Sequence, residues 1–381
     1  MRIDCKLASE SRCLPVNAIT QLVSWVKWGW AWIKWPVALG ILGWLFWANQ
    51  THFYELSHRH VAWGFLAAAV VLSIAACLTT FTRWFLLVWG VNVPFHLRDA
   101  VRLGFIGMVL NYVMPGAIGG DLCKAVILAH GQPSRRTVAV ATIFLDRVLG
   151  MISLLLLGAF MSLLPLDIPK IPETQVVTLL LRLGTVVGLL CVGGMLIPGV
   201  TQWGLSRWLT RLPVVGRIFG ELLSGVAHYQ SRPWVLAGAL GLGTVGHMFL
   251  IASFYCGGRA LEPWTLDLMT HFYFMPIAEL FGSLLPTPNG IGGLEKAVEY
   301  SYVNLAPGVD RQVAGGVGLI ATLAYRVVQL VVSAIGFIYY MASRAEVQAA
   351  IAETQATAAG SSPQVEQTAP VIGLHPATAE S

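Results

Sequence analysis

Residues Asn111 to Arg147 read NYVMPGAIGGDLCKAVILAHGQPSRRTVAVATIFLDR, and the fold turns on how this stretch is taken. Pro115 lacks an amide donor, and Gly116, Gly119 and Gly120 each weaken a helix by about 1 kcal/mol, so the helix breaks here. Apolar residues flank the break, Val101 to Met114 before it and Leu122 to Ala129 after it. Neither arm reaches the roughly 20 residues that span a bilayer. Two half-helices meeting at a break predict a re-entrant hairpin. Broken backbone at membrane depth is tolerated only where protein or a water-filled cavity covers it, which makes this a place to look for function. Asp121 stands just past the break, and Asp146 and Arg147 lie inside the next apolar run.

The same grammar recurs at LPTPNGIGGLEK. Here Pro286, Pro288, Gly290, Gly292 and Gly293 precede Glu295 and Lys296, and Arg326 follows within another long apolar run. The order is proline, paired glycines, carboxylate, basic residue, then an intramembrane arginine. Interrupted hydrophobic segments at matching positions in two halves point to a transporter's binding site and to an inverted repeat.

Composition sets the class. Of 381 residues 56% are hydrophobic and only 11% charged, with a mean hydropathy of +0.68, which predicts an all-α polytopic membrane protein. The net charge of +5 matters less than where Lys and Arg fall, because short basic loops stay cytoplasmic. Cys5, Cys13, Cys77, Cys123, Cys191 and Cys256 show no paired spacing for a metal or redox site. No Walker loop, HExxH, GxSxG or dinucleotide fingerprint is present, which argues against an enzyme, an ATP-driven step within the chain, a cofactor or a nucleic-acid partner.

Taken in order, residues 1–34 form a cytoplasmic N-terminal segment. Trp25, Trp28, Trp32 and Trp35 share a helical face opposite Lys27 and Lys34, which reads as an interfacial helix or as the aromatic belt of the first span. Full spans are expected at about 35–53, 62–82, 138–164, 176–197, 234–256 and 312–342. Hairpins at about 101–129 and 267–306 lie between them, and domain 35–342 holds all eight elements. Arg83, Arg98 and Arg102 mark the loop after the second span as cytoplasmic, as do Arg135 and Arg136 after the first hairpin. Lys170 set against Asp167 and Glu173 marks an external loop, and Arg207, Arg211, Arg217 and Arg232 a cytoplasmic connector. By this count the hairpins enter from opposite sides and both termini are cytoplasmic. The tail 343–381, rich in Ala, Thr, Gln, Ser and Glu, is expected to be disordered.

Arg326 lies roughly 20 Å from either end of its span at 1.5 Å per residue, too deep to reach an interface, so it needs an anionic partner. Two readings stand. In one, Arg326 pairs with Glu295 or Glu279, and Arg147 with Asp121 or Asp146, only to hold helices together. In the other, the arginines meet a phosphate, since guanidinium binds it bidentately and stays charged when desolvated. Asp121 and Glu295 each open a half-helix and favour its dipole, while the free amides there suit an anionic headgroup. Lys124 and Lys296 are either partners of those carboxylates or phosphate contacts. His247 and His271 read as packing residues, with a proton relay as the alternative.

The pairing of NYVMPGAIGGDLCK with a following DR, and of LPTPNGIGGLEK with a following YR, resembles the flippase-like transmembrane family named after lysylphosphatidylglycerol synthase. The resemblance covers roughly residues 35–342. It implies a membrane domain that moves an anionic or aminoacylated phospholipid, or a polyprenyl-phosphate-linked lipid, between leaflets of the plasma (inner) membrane. Relatives pair this half with a soluble synthase; the roughly forty residues after the last span are too few for one, so synthase activity is not implied. The family tends to have glutamate where Asp146 stands and arginine where Lys124 stands, departures that keep the charge pattern. The implied translocation residues are Asn111, Pro115, Gly119, Gly120, Asp121, Lys124, Asp146, Arg147, Pro288, Gly290, Gly292, Gly293, Glu295, Lys296 and Arg326. A scaffold for a partner lipid-modifying or glycosyltransferase enzyme, and an intramembrane enzyme acting on a lipid phosphate, are the other readings.

Overall fold

A computed structural model of the chain describes residues 61–113, 119–130, 136–197, 229–284, 287 and 290–343. The Trp-rich helix, the first span, Pro115, Pro288, most of the basic connector and the tail beyond 343 lie outside the described residues. Within them the chain is helical: α1 (Trp63–Gly90), α2 (Leu97–Val113), α3 (Gly119–His130), α4 (Arg136–Met161), α5 (Pro172–Leu196), α6 (Pro233–Leu261), α7 (Leu268–Leu284), α8 (Gly293–Leu305) and α9 (Arg311–Ala342). Of these, α1, α4, α5, α6 and α9 are long and apolar enough to cross a membrane.

Local chemistry sets the helix ends. Pro172 and Pro233 sit in the first turns of α5 and α6, where a missing amide costs nothing. Asp310 caps α9, its carboxylate accepting from the Gln312 and Val313 amides at 2.9 and 3.2 Å. One end departs from expectation. The second span was expected to stop near residue 82, with Arg83 in a cytoplasmic loop, yet α1 runs on to Gly90 and Arg83 is buried inside it. A buried partner, described below, stabilises that charge within the helix.

Hydrogen bonds fix which helix ends lie together. Arg232, before α6, donates to Asn92 Oδ1, after α1, at 3.0 Å, and Gln230 donates to the Met195 carbonyl near the end of α5 at 3.1 Å. Arg102 near the start of α2 donates to Ser343 Oγ beyond α9 at 3.0 Å. At the opposite end, the Ala62 amide meets the Ala260 carbonyl at 2.9 Å, and Tyr273 near the start of α7 donates to the Thr174 carbonyl at 2.8 Å. The hairpin α2–α3 therefore starts from one end of the bundle and α7–α8 from the other.

In lipid, apolar side chains gain little by leaving one apolar medium for another, so close backbone approach and polar pairs select helix partners. Gly184 and Gly188 of α5 pack against Leu155 and Ile152 of α4, the use their spacing permits. The arms of the first hairpin touch backbone to backbone: a Cβ on Gly120 would lie 1.9 Å from the Gly107 carbonyl oxygen. In the second hairpin Gly290 and Gly292 turn the chain at φ 67° and 90°, a region that L side chains avoid, and a Cβ on Gly290 would meet the Gly282 carbonyl at 2.5 Å. Burial separates the long helices: 61% of the most apolar window of α9 is inside the protein against 17% for α5, so α9 is central and α5 peripheral.

Candidate functional site

Each hairpin delivers a carboxylate to mid-bundle. Gly119 opens α3, placing Asp121 in its first turn, and the Asn111 side chain accepts from the Gly120 amide at 2.8 Å, tying the end of α2 to the start of α3. Asp121 accepts from Arg147 Nε on α4 and from Lys124 Nζ at 3.3 Å. Arg147 lies about 16 Å along α4, counting 11 residues from its start. In the second hairpin Gly293 opens α8, and Glu295 reaches back to accept from the Gly292 amide at 2.7 Å, satisfying one of the free donors at the helix start. The other oxygen of Glu295 accepts from Arg326 Nε at 2.8 Å, about 22 Å along α9. Both hairpins thus place the first-turn carboxylate of the second arm on an arginine of the following long helix.

The arginines of the two pairs face one space, while Glu295 stays buried behind Arg326. A cavity of about 220 Å³ is lined by Arg147 and Arg326 together, with Asn111, Gly290, Glu279 and Gln329. A neighbouring cavity of about 230 Å³ shares Asn111 and Arg147 and adds Asp121, Lys124, Asp146 and Arg83. The side chain of Arg147 is 51% exposed and lines both cavities, whereas that of Glu295 is 0% exposed and lines neither. Lys124 is held from behind by the Trp84 ring, 5.5 Å from its ammonium.

Of the alternatives left open, Arg147 takes Asp121, and two contacts fall elsewhere. Asp146 does not pair with its neighbour Arg147: its two oxygens accept from Arg83 Nε and Nη2 at 2.7 and 2.9 Å. Consecutive helical residues point about 100° apart, so Asp146 turns toward α1 while Arg147 turns toward α3. The Arg83 guanidinium is clamped between Gly150 and Gly243, which leave room for no methyl group. Lys296 pairs with Glu299 at 3.1 Å on an exposed face and lines neither cavity.

Sequence reasoning missed Arg83 as a site residue and gave Glu279 only a pairing role. Glu279 lines the arginine cavity with its Oε1 buried and without a hydrogen-bond partner. Its signal was a lone carboxylate in the apolar run of α7. His247 lines the second cavity and donates to the Gly150 carbonyl at 3.0 Å. His271 is engaged at both ring nitrogens, with the Asp267 carbonyl and the Tyr302 hydroxyl each at 2.8 Å, the geometry of a packing residue.

A space of this size, walled by guanidinium, ammonium, carboxylate and amide groups at mid-bundle, is suited to a polar headgroup rather than an apolar ligand. Among the described residues no group of His, Cys, Asp and Glu is placed to hold a metal ion. Comparison with curated proteins and with solved structures finds no match. Residues 31–336 match the model of the lysylphosphatidylglycerol synthase TM region, and with most of its length so matched the chain belongs to that family of membrane domains.

Proposed function

We propose that this membrane protein translocates a lipid with a phosphate-bearing headgroup between leaflets. Anionic or aminoacylated phospholipids and polyprenyl-phosphate-linked lipids are the candidate class. The observation that carries the reading is the convergence of Arg147 and Arg326, one from each half, on a single cavity between two glycine-broken hairpins. A phosphate entering it meets guanidinium groups already oriented by Asp121 and Glu295, so little ordering remains to be done on binding. The acyl or prenyl tails stay in lipid while the headgroup crosses.

The matching order of half-helix, half-helix and arginine-bearing span supports an inverted repeat, and with it access from either leaflet. Arg98, Arg102 and Arg232 cluster at the helix ends where α9 finishes, which supports cytoplasmic termini in the plasma (inner) membrane. On this reading the chain is not an enzyme; it supplies a path.

The test is leaflet exchange of a quenchable phosphatidylglycerol analogue in proteoliposomes, with wild type beside Arg147→Gln and Arg326→Gln. Exchange that requires wild-type protein and falls at least tenfold in both folded variants is expected. Undiminished exchange in both would overturn the reading and leave the arginines as helix ties.

A further inference from the structure

The largest of the described polar cavities belongs to neither arginine pair of the central site. It measures about 590 Å³ and opens where the loop 162–171 passes from α4 to α5. Lys170 and Arg182 are its cations, and the neutral polar groups of Ser162, Thr174, Gln175, Thr178 and Tyr273 complete its polar lining. No carboxylate lines it, although Asp167 and Glu173 are close in sequence. Among the described residues neither Lys170 nor Arg182 has an ion pair. Two cations therefore share a pocket with no counter-charge.

Arg182 explains how the pocket is built. It sits about 15 Å into apolar α5, counting ten residues from Pro172. From there it reaches back to the end of α4, donating through Nε to Ser162 Oγ at 3.0 Å and through Nη2 to the Ser162 carbonyl at 2.8 Å. These bonds fix the guanidinium plane at the pocket wall. Thr178 and Tyr273 share a hydrogen bond at 2.9 Å, and Tyr273 also donates to the Thr174 carbonyl, which makes the floor rigid.

The pocket continues onto a lipid-facing stripe. Leu179 lines it, and Leu183, Val186 and Leu190 follow at helical spacing, all of them exposed on peripheral α5. The stripe runs about 16 Å from Leu179 to Leu190, an acyl-chain length. A rigid basic pocket at one end of an apolar track has the chemistry of an amphiphile with an anionic head.

We propose that this pocket is a site for a resident anionic phospholipid, whose phosphate lies between Lys170 and Arg182 and whose acyl chain lies along Leu179, Leu183, Val186 and Leu190. The site is separate from the central cavity and does not rest on translocation. Its occupant closes the α4–α5 end of the bundle from the lipid side, where Tyr273 ties it to the second hairpin.

Native mass spectrometry of the full chain, released from micelles containing phosphatidylglycerol or phosphatidylcholine, tests the site. Wild type is expected to retain phosphatidylglycerol in preference to phosphatidylcholine, with one bound molecule that depends on Lys170 and Arg182. Arg182→Gln and Lys170→Glu should each weaken retention about tenfold, the equivalent of one charge-assisted hydrogen bond. Lys170 is exposed on a loop, so its variant leaves the fold alone and keeps the test decisive. Equal retention of both lipids, or undiminished retention in both variants, overturns the proposal. Displacement of the lipid by millimolar glycerol 3-phosphate would assign the pocket to a soluble phosphate and overturn lipid occupancy.

Discussion

Removing one partner of the Arg326–Glu295 pair should cost far more than removing both. The pair is 2.8 Å apart, with side-chain exposures of 13% and 0%. At an effective dielectric constant near 20 the attraction at that distance is about 6 kcal/mol. Desolvating each ion costs several kcal/mol, so the intact pair comes out close to balance. Glu295→Gln leaves a desolvated guanidinium with Glu279, which lines the arginine cavity, as the remaining carboxylate, and the expected loss is about 3 kcal/mol. Arg326→Gln leaves Glu295 and Glu279 without the cation beside them, and the expected loss is nearer 5 kcal/mol. The double variant replaces both charges by amides that hydrogen-bond each other, and should lose less than either single change. Equilibrium unfolding in mixed micelles across all four proteins measures the cycle. A coupling below about 0.5 kcal/mol, the additive limit, would refute the argument that these charges depend on each other.

Three further outcomes follow from the geometry. Gly120→Ala should destabilise by about 1–3 kcal/mol, because its methyl group would overlap the Gly107 carbonyl oxygen; Gly193→Ala, with open space around it, is the control, and both are read by the same unfolding assay. Glu279→Gln removes a negative charge from the arginine cavity and should raise exchange of an anionic lipid on the order of tenfold while lowering that of a cationic one, measured in proteoliposomes. Asp267, in the segment between α6 and α7, is raised by burial but held lower on balance by hydrogen bonds from Thr270. Its folded-state value is depressed, so the stability it adds is present above the usual carboxylate range and is lost as pH falls through that lower value. A titration of unfolding against pH should show this loss in wild type and not in Asp267→Asn.

The parts of the site that follow local rules were legible in the sequence. Proline and paired glycines announce both breaks, and a carboxylate two or three residues on announces the first turn of a new helix, so Asp121 and Glu295 stood out. Arg147 stood out as a charge inside an apolar run, and Arg326 because its depth in such a run leaves it no route to an interface. The pairing of Arg83 with Asp146 was not legible, because it joins helices 63 residues apart and a basic residue near the end of an apolar run reads as a loop charge. The sequence Trp-Phe-Leu-Leu-Val-Trp after Arg83 was the available signal that the helix continues. That Arg147 and Arg326 share one cavity depends on how α4 and α9 pack, which periodicity cannot supply.

The contacts of Gly107 with Gly120 and of Gly282 with Gly290 bear on how such a cavity could change shape. At these points the two arms of each hairpin are in contact, leaving no room even for a methyl group between them. If the protein translocates lipid as proposed, opening toward a leaflet would carry a whole hairpin as a single piece, sliding on α4 or α9 like a bolt in its guide. On that reading the carboxylate of each second arm and its arginine would be the detent that holds the bolt at rest.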